Sequence, residues 1–184
     1  TLAWYLRQSD AMRSAELARD ARQQLARQAA ITQPLARLSA RLFLIEAEHQ
    51  WLDSRFSEAK VSAQHALTAF GTEDDATGMA DAHTILVAVH SSMGSLTDRD
   101  AALAAAVAQA RLAQDTERVD FLEANQARYA ALRDVRLCDA VWGQRFAEDA
   151  RHHPTVSTAI YAYLATRDYN AGQFGRALTR FDKA

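Results

Sequence analysis

The side chains best equipped for chemistry are six histidines, one cysteine and a few acidic clusters. Glu46 and His49 form one Glu-x-x-His pair, the spacing at which a helix presents two metal ligands on one face. A di-metal bundle needs a second such pair, and the sequence holds none. His83 and His90 are seven residues apart and would share a helix face, whereas His152 and His153 are adjacent and would point apart. An isolated pair leaves a metal short of ligands, so the histidines read as structural or surface groups and no metal site is expected. Cys138 lacks a Cys-x-x-Cys partner and reads as a small thiol packed between helices. Glu73-Asp74-Asp75 lacks the alternating ligands and closing glutamate of a calcium loop and reads as a solvated helix start. Nothing places a nucleophile beside a base, so neither a catalytic residue nor a cofactor is expected. Trp4, Trp51 and Trp142 remain. Each is large enough to anchor a partner or to fill a core, and for Trp51 both readings stand.

The elements that carry these residues read as helices throughout. About forty of the 184 residues are alanine, against 6 glycines and 2 prolines, Pro34 and Pro154. Alanine is the best helix former and glycine and proline are the breakers. Leu42, Ile45, Leu52 and Phe56 recur at helical spacing, as do Ile85, Val89 and Met93, and no stretch alternates long enough for a strand. Breaks at Ser9-Asp10, Thr32-Gln33-Pro34, Ser54-Arg55, Gly71 to Asp75, Gly94-Ser95, Gln114-Asp115, Arg133-Asp134, His152-His153-Pro154 and Asn170-Ala171-Gly172 bracket about ten helices of roughly 10 to 20 residues. Thr72 with Asp75, and Thr97 with Asp100, have the spacing of a capping box ahead of a helix.

Charge and cysteine content narrow the setting. The 21 basic and 23 acidic residues give a net charge of -2, which argues against nucleic acid as a partner. Lys60 and Lys183 are the only lysines, and the arginines are scattered along the chain, not clustered. No apolar run approaches the roughly 18 residues of a membrane span. A single cysteine fits a reducing, cytoplasmic compartment. The start at Thr1 without a leader, and the end at Ala184 inside an expected helix, lead us to expect a piece of a longer chain.

A weak internal repeat lies beneath this pattern. When the segment ending at Phe70 is aligned with the one ending at Ala184, Ala47, Phe56, Ala59 and Ala66 match Ala165, Phe174, Ala177 and Ala184. Small residues at these offsets, with an aromatic between them, let antiparallel helices approach closely. The pattern resembles that of the tetratricopeptide repeat (TPR) family. The resemblance implies an all-α fold of antiparallel helix pairs stacked as a right-handed superhelical solenoid. It implies one repeat domain over 1–184, with units at roughly 1–32, 34–71, 75–115, 117–152 and an incomplete 155–184. It further implies that Arg41, Leu44, Glu48, Trp51 and Leu52, with Thr166 and Tyr169 of the last unit, line a concave groove.

Leu2 to Gln8, Asp75 to His83 and Trp142 to Phe146 also resemble the N-terminal repeat regions of bacterial signalling proteins that end in a diguanylate cyclase (GGDEF) domain. That resemblance implies a non-catalytic input region of a cyclic-di-GMP signalling protein. Its partner would be a protein or peptide segment, or the attached output domain. A free-standing adaptor or chaperone is the alternative, and a helical metal-dependent enzyme ranks behind both. Because a repeat array cut short exposes an apolar face, self-association of the chain is a further expectation.

Overall fold

The computed structural model describes residues 2–7, 9–27, 33–147 and 156–184. Among these the chain forms ten α-helices and no strand: α1 (Leu2–Leu6), α2 (Ala11–Ala26), α3 (Gln33–Leu52), α4 (Phe56–Thr72), α5 (Ala76–Ser92), α6 (Leu96–Leu112), α7 (Thr116–Ala131), α8 (Val135–Trp142), α9 (Ser157–Asn170) and α10 (Phe174–Phe181). The expected breaks at Thr32, His152, His153 and Pro154 lie outside the described residues. Helices α1, α8 and α10 have only 5, 8 and 8 residues, shorter than the sequence reading expects. The chain divides into two compact units, Thr1–Ala113 and Gln114–Ala184, where the sequence reading expects one domain.

One turn geometry recurs. Ser54, Asp74, Gly94, Gln114 and Gly172 all have positive φ, between 50° and 76°. At four of these turns the following N–H reaches back to a carbonyl of the helix just ended. Arg55 donates to Gln50 at 2.7 Å, Asp75 to Phe70 at 3.0 Å, Ser95 to His90 at 2.9 Å and Gln173 to Asp168 at 2.8 Å. This left-handed closure satisfies carbonyls that a helix end otherwise leaves bare. It also reverses the chain within three residues, so the helices it joins run antiparallel. From Phe56 to Thr116 the helix starts recur every 20 residues.

The caps differ from the expected capping boxes. Thr72 is the last residue of α4, and its hydroxyl donates to the Ala69 carbonyl at 2.8 Å. The cap of α5 is Asp75 itself, whose carboxylate accepts from the Gly78 N–H at 2.8 Å. Thr97 and Asp100 sit inside α6, whose N-cap is Ser95. Asp10 and Asp115 cap α2 and α7 by the same bond, each at 3.0 Å. A carboxylate does this well, because it accepts the bare N–H and also carries the charge favoured at a helix N-terminus. At the other end of the chain α10 stops at Phe181, so Ala184 lies beyond the helix that the repeat alignment expects to contain it.

In the first unit α3 packs on α4, α4 on α5 and α5 on α6, while α3 also touches α5; α1 pairs with α2, which packs on α3. Alanine makes this close approach workable: Ala47, Ala59, Ala63, Ala66, Ala80, Ala82, Ala106 and Ala110 are fully buried. A close contact sets the fully buried Phe70 ring on the backbone of Gly78, where a Cβ would lie 2.3 Å from the ring. In the second unit α7 packs on α8 and α9, and α9 on α10. Its core gathers Cys138, Phe146, Tyr163 and Leu164 around Ala124, Ala127 and Ala131. The Phe146 and Tyr163 rings meet edge to face at 6.1 Å. Buried Asp168 and Arg180 pair at 2.6 Å across α9 and α10. Of the repeat positions here, Ala165 and Ala177 are buried, but Phe174 is 63% exposed.

Candidate functional site

Arg41, Leu44, Glu48 and Trp51 follow one another at intervals of three, four and three, which puts them on one face of α3. The structure divides that face by depth. Leu44 is fully buried and offers no surface to a partner, which corrects its expected place in a groove. Glu48 is buried as well, whereas Arg41 and Trp51 are half-buried where α3 meets α1 and α5. There Trp4 of α1, Arg7 just after it, Glu48 and Trp51 of α3, and Asp81, Thr84, Ile85 and Ala88 of α5 line a cleft of about 190 Å³.

The polar groups of this cleft are already matched to one another. Arg7 Nε lies 2.6 Å from the Glu48 carboxylate, and Arg7 also donates to the Trp4 carbonyl at 2.6 Å. Arg41 pairs with Asp81. The two guanidiniums stand over the Trp4 ring at 3.7 Å and 4.6 Å, a cation–π arrangement. Trp51 donates its indole N–H to the Ser92 hydroxyl at 2.9 Å, which orients the ring. Thr84 spends its hydroxyl on the Ala80 carbonyl at 2.8 Å. Within each ion pair the guanidinium is the more exposed end. Arg7 and Arg41 side chains are each 22% exposed, against 8% for Glu48 and 13% for Asp81.

The remaining expected groove residues lie elsewhere. Leu52 is exposed at the end of α3 and does not line the cleft. Thr166 is buried in the second unit and donates to the Ala162 carbonyl at 2.8 Å, so it too offers no surface, contrary to expectation. Tyr169 is exposed and meets Phe174 edge-on at 5.5 Å. Sequence reasoning did not assign the α5 wall to the groove, yet a signal for it exists. Asp81, Thr84 and Ala88 follow Arg41, Leu44 and Glu48 at an offset of 40 residues, twice the helix interval.

The groups weighed for chemistry are scattered. Glu46 is bound to Arg22 at 2.5 Å, away from a metal role with His49. Burial holds the imidazoles of His49, His83 and His90 below the ordinary value of 6.5, and Lys60 adds to the effect at His90. The His90 Nδ1 lies 3.8 Å from the Asp98 carboxylate. Cys138 is fully buried, donates to the Ala127 carbonyl at 3.1 Å, and burial pushes its thiol up from the usual value. Such a thiol is kept protonated and inert. Among the described residues no three His, Cys, Asp or Glu side chains converge as a metal site would require, and no helix is long and apolar enough to cross a membrane. Compared with known proteins, the chain matches no family model, no curated protein and no solved structure.

Proposed function

We propose that the chain is a non-catalytic interaction scaffold of stacked antiparallel helix pairs, and that the cleft between α1, α3 and α5 receives a protein segment. The observation that carries this reading is the cleft itself. Two indoles and two internally neutralised ion pairs border a partly open apolar floor, the composition of a docking site, not of a reaction centre. The first helices of successive pairs build it, and in the TPR plan that is the concave side. The buried alanines at the repeat offsets favour the same plan. The helix interval of 20 residues makes a pair of about 40, longer than the 34 of the tetratricopeptide unit. The likeness is therefore to the helix-pair arrangement, in a longer unit.

Site-specific photocrosslinking tests the reading. A benzophenone amino acid replacing the exposed Leu52, next to Trp51, should capture a discrete protein in cells that express the parent protein, and the same group replacing the exposed Ala104 of α6 should not. Trp51→Ala should remove the Leu52 product. Equal capture at both positions would sink the cleft as the docking site. The sequence resemblance extends the proposal to regulation of an attached diguanylate cyclase. A cyclase-type domain encoded in frame beyond Ala184 would support that extension, and a stop codon there would leave an adaptor.

A further inference from the structure

The second unit ends on a helix that hides one face and leaves another bare. α10 docks on α9 in the register with which α4 docks on α3. Gly172 takes the positive φ of Ser54, and Gln173 donates to Asp168 as Arg55 does to Gln50. Ala177 is buried like Ala59, and Arg180 like Ser62. Beside this shared face the two helices differ. α4, which also packs on α5, carries Phe56 and Lys60, both half-buried, and Ala63, fully buried. At the same positions α10 carries Phe174, Leu178 and Phe181, and all three are exposed, Leu178 by 64% and Phe181 by 46%. Large apolar side chains thus meet solvent where the first unit has a lysine and an alanine.

Spacings of four and three put these side chains on one stripe of α10. Tyr169 of α9 extends the stripe, edge-on to Phe174 at 5.5 Å. The neighbouring cations are engaged within the chain: Arg176 lies 3.5 Å from the Asp168 carboxylate, and the Lys183 ammonium stands 5.4 Å over the Tyr161 ring. An apolar patch so concentrated marks an interaction surface. The order of its residues says what fits. Leu178 lies at the middle, with Phe174 four residues before it and Phe181 three after. A second α10 laid antiparallel, about a two-fold axis at Leu178, sets the two leucines together and each Phe174 against the partner's Phe181. The stripe is its own complement, and the pairing brings no like charges together. The exposed parts of the four side chains amount to roughly 400 Å² per copy, or about 800 Å² for a pair. That area is below the roughly 1,200 Å² at which stable interfaces begin and belongs to weak, transient contacts. We infer that the chain self-associates weakly through an antiparallel contact of α10 with α10 of a second copy, centred on Leu178. This goes beyond the docking reading of the first unit and does not depend on it.

Sedimentation equilibrium of the full chain, at concentrations from about 5 μM to about 1 mM, tests the contact. The average mass should rise from that of one chain toward that of two, with a midpoint on the order of 100 μM. Leu178→Glu and Leu178→Lys should each stay monomeric over this range, because like charges would meet at the axis. An equimolar mixture of the two should associate about tenfold more tightly than either alone, since opposite charges then face each other. Met12→Glu alters an exposed apolar residue of the first unit and should associate as the unsubstituted chain does. All these positions are exposed, so circular dichroism should show every variant folded like the unsubstituted chain. A chain that is monomeric at 1 mM would overturn the inference, and so would association that survives Leu178→Glu. No gain in the mixture, or loss of association in Met12→Glu, would mean that α10 meets a different surface of the second copy, and would overturn the two-fold contact.

Discussion

A glycine inside a helix ordinarily invites replacement, since alanine gains about 1 kcal/mol in helix propensity. At Gly78 the sign should reverse. A Cβ there would lie 2.3 Å from Phe70, a fully buried ring with little freedom to retreat. Gly78→Ala should cost about 1–3 kcal/mol, the range for overpacking, read as a lower urea midpoint at unchanged slope. A higher midpoint would show that the ring can move. The histidines supply a second prediction at this scale. His49, His83 and His90 bind protons less readily in the folded chain than in the unfolded one, because burial opposes their charge. Their contribution is therefore whole above the unfolded value of 6.5 and shrinks as pH falls below it. Stability measured between pH 8 and pH 5.5 should drop on the acid side, and the drop should be smaller in a His83→Asn, His90→Asn double variant. At this scale the sequence told small from large but not shallow from deep. Alanine spacing placed Ala47, Ala59 and Ala66 in helix contacts where they are buried. The repeat resemblance put Leu44 and Trp51 on one face, yet only the neighbouring helices determine that Leu44 is enclosed and Trp51 half open.

Among the elements, helix content was legible because alanine, few breakers and 3.6-residue spacing all agree. Turn positions were legible too, at Gly94 and Gly172 most plainly, since glycine takes positive φ without strain. That Ser54 and Asp74 adopt the same conformation was not legible, because the demand for it comes from the antiparallel return of the next helix. The caps failed for a related reason. Thr72 and Asp75 have the spacing of a box, but α4 runs through Thr72, so Asp75 is left to cap α5 alone. The strain at these turns is measurable. Asp74 is exposed, has φ of 50° and leaves the capping to Asp75. Asp74→Gly should stabilise the chain by about 0.5–1 kcal/mol, the left-handed penalty less the entropy glycine adds to the unfolded chain. Thermal unfolding of the single variant checks it, and a lower midpoint would mean that Asp74 has an electrostatic role outweighing its strained backbone.

At the scale of the whole molecule, the helix pairs keep an interval longer than the roughly 34 residues of a tetratricopeptide unit. Helix starts at Phe56, Ala76 and Leu96 are 20 residues apart, and the same step of two intervals relates Arg41 to Asp81 and Glu48 to Ala88. The α5 wall of the cleft was missed because alanine-rich helices match in several registers, whereas the packed helices accept one. Every residue lining the cleft lies between Trp4 and Ala88, within the first compact unit. That unit has its own buried residues, from Ala3 and Ala18 through Leu44 and Ile45 to Val107 and Ala110. Residues 1–113 should therefore fold alone, with the per-residue helicity of their share of the full chain and the Trp51 indole signal unmoved. The Trp51 to Ser92 hydrogen bond should persist. Loss of the dispersed Trp4 and Trp51 signals in the isolated segment would mean that the cleft depends on residues beyond 113.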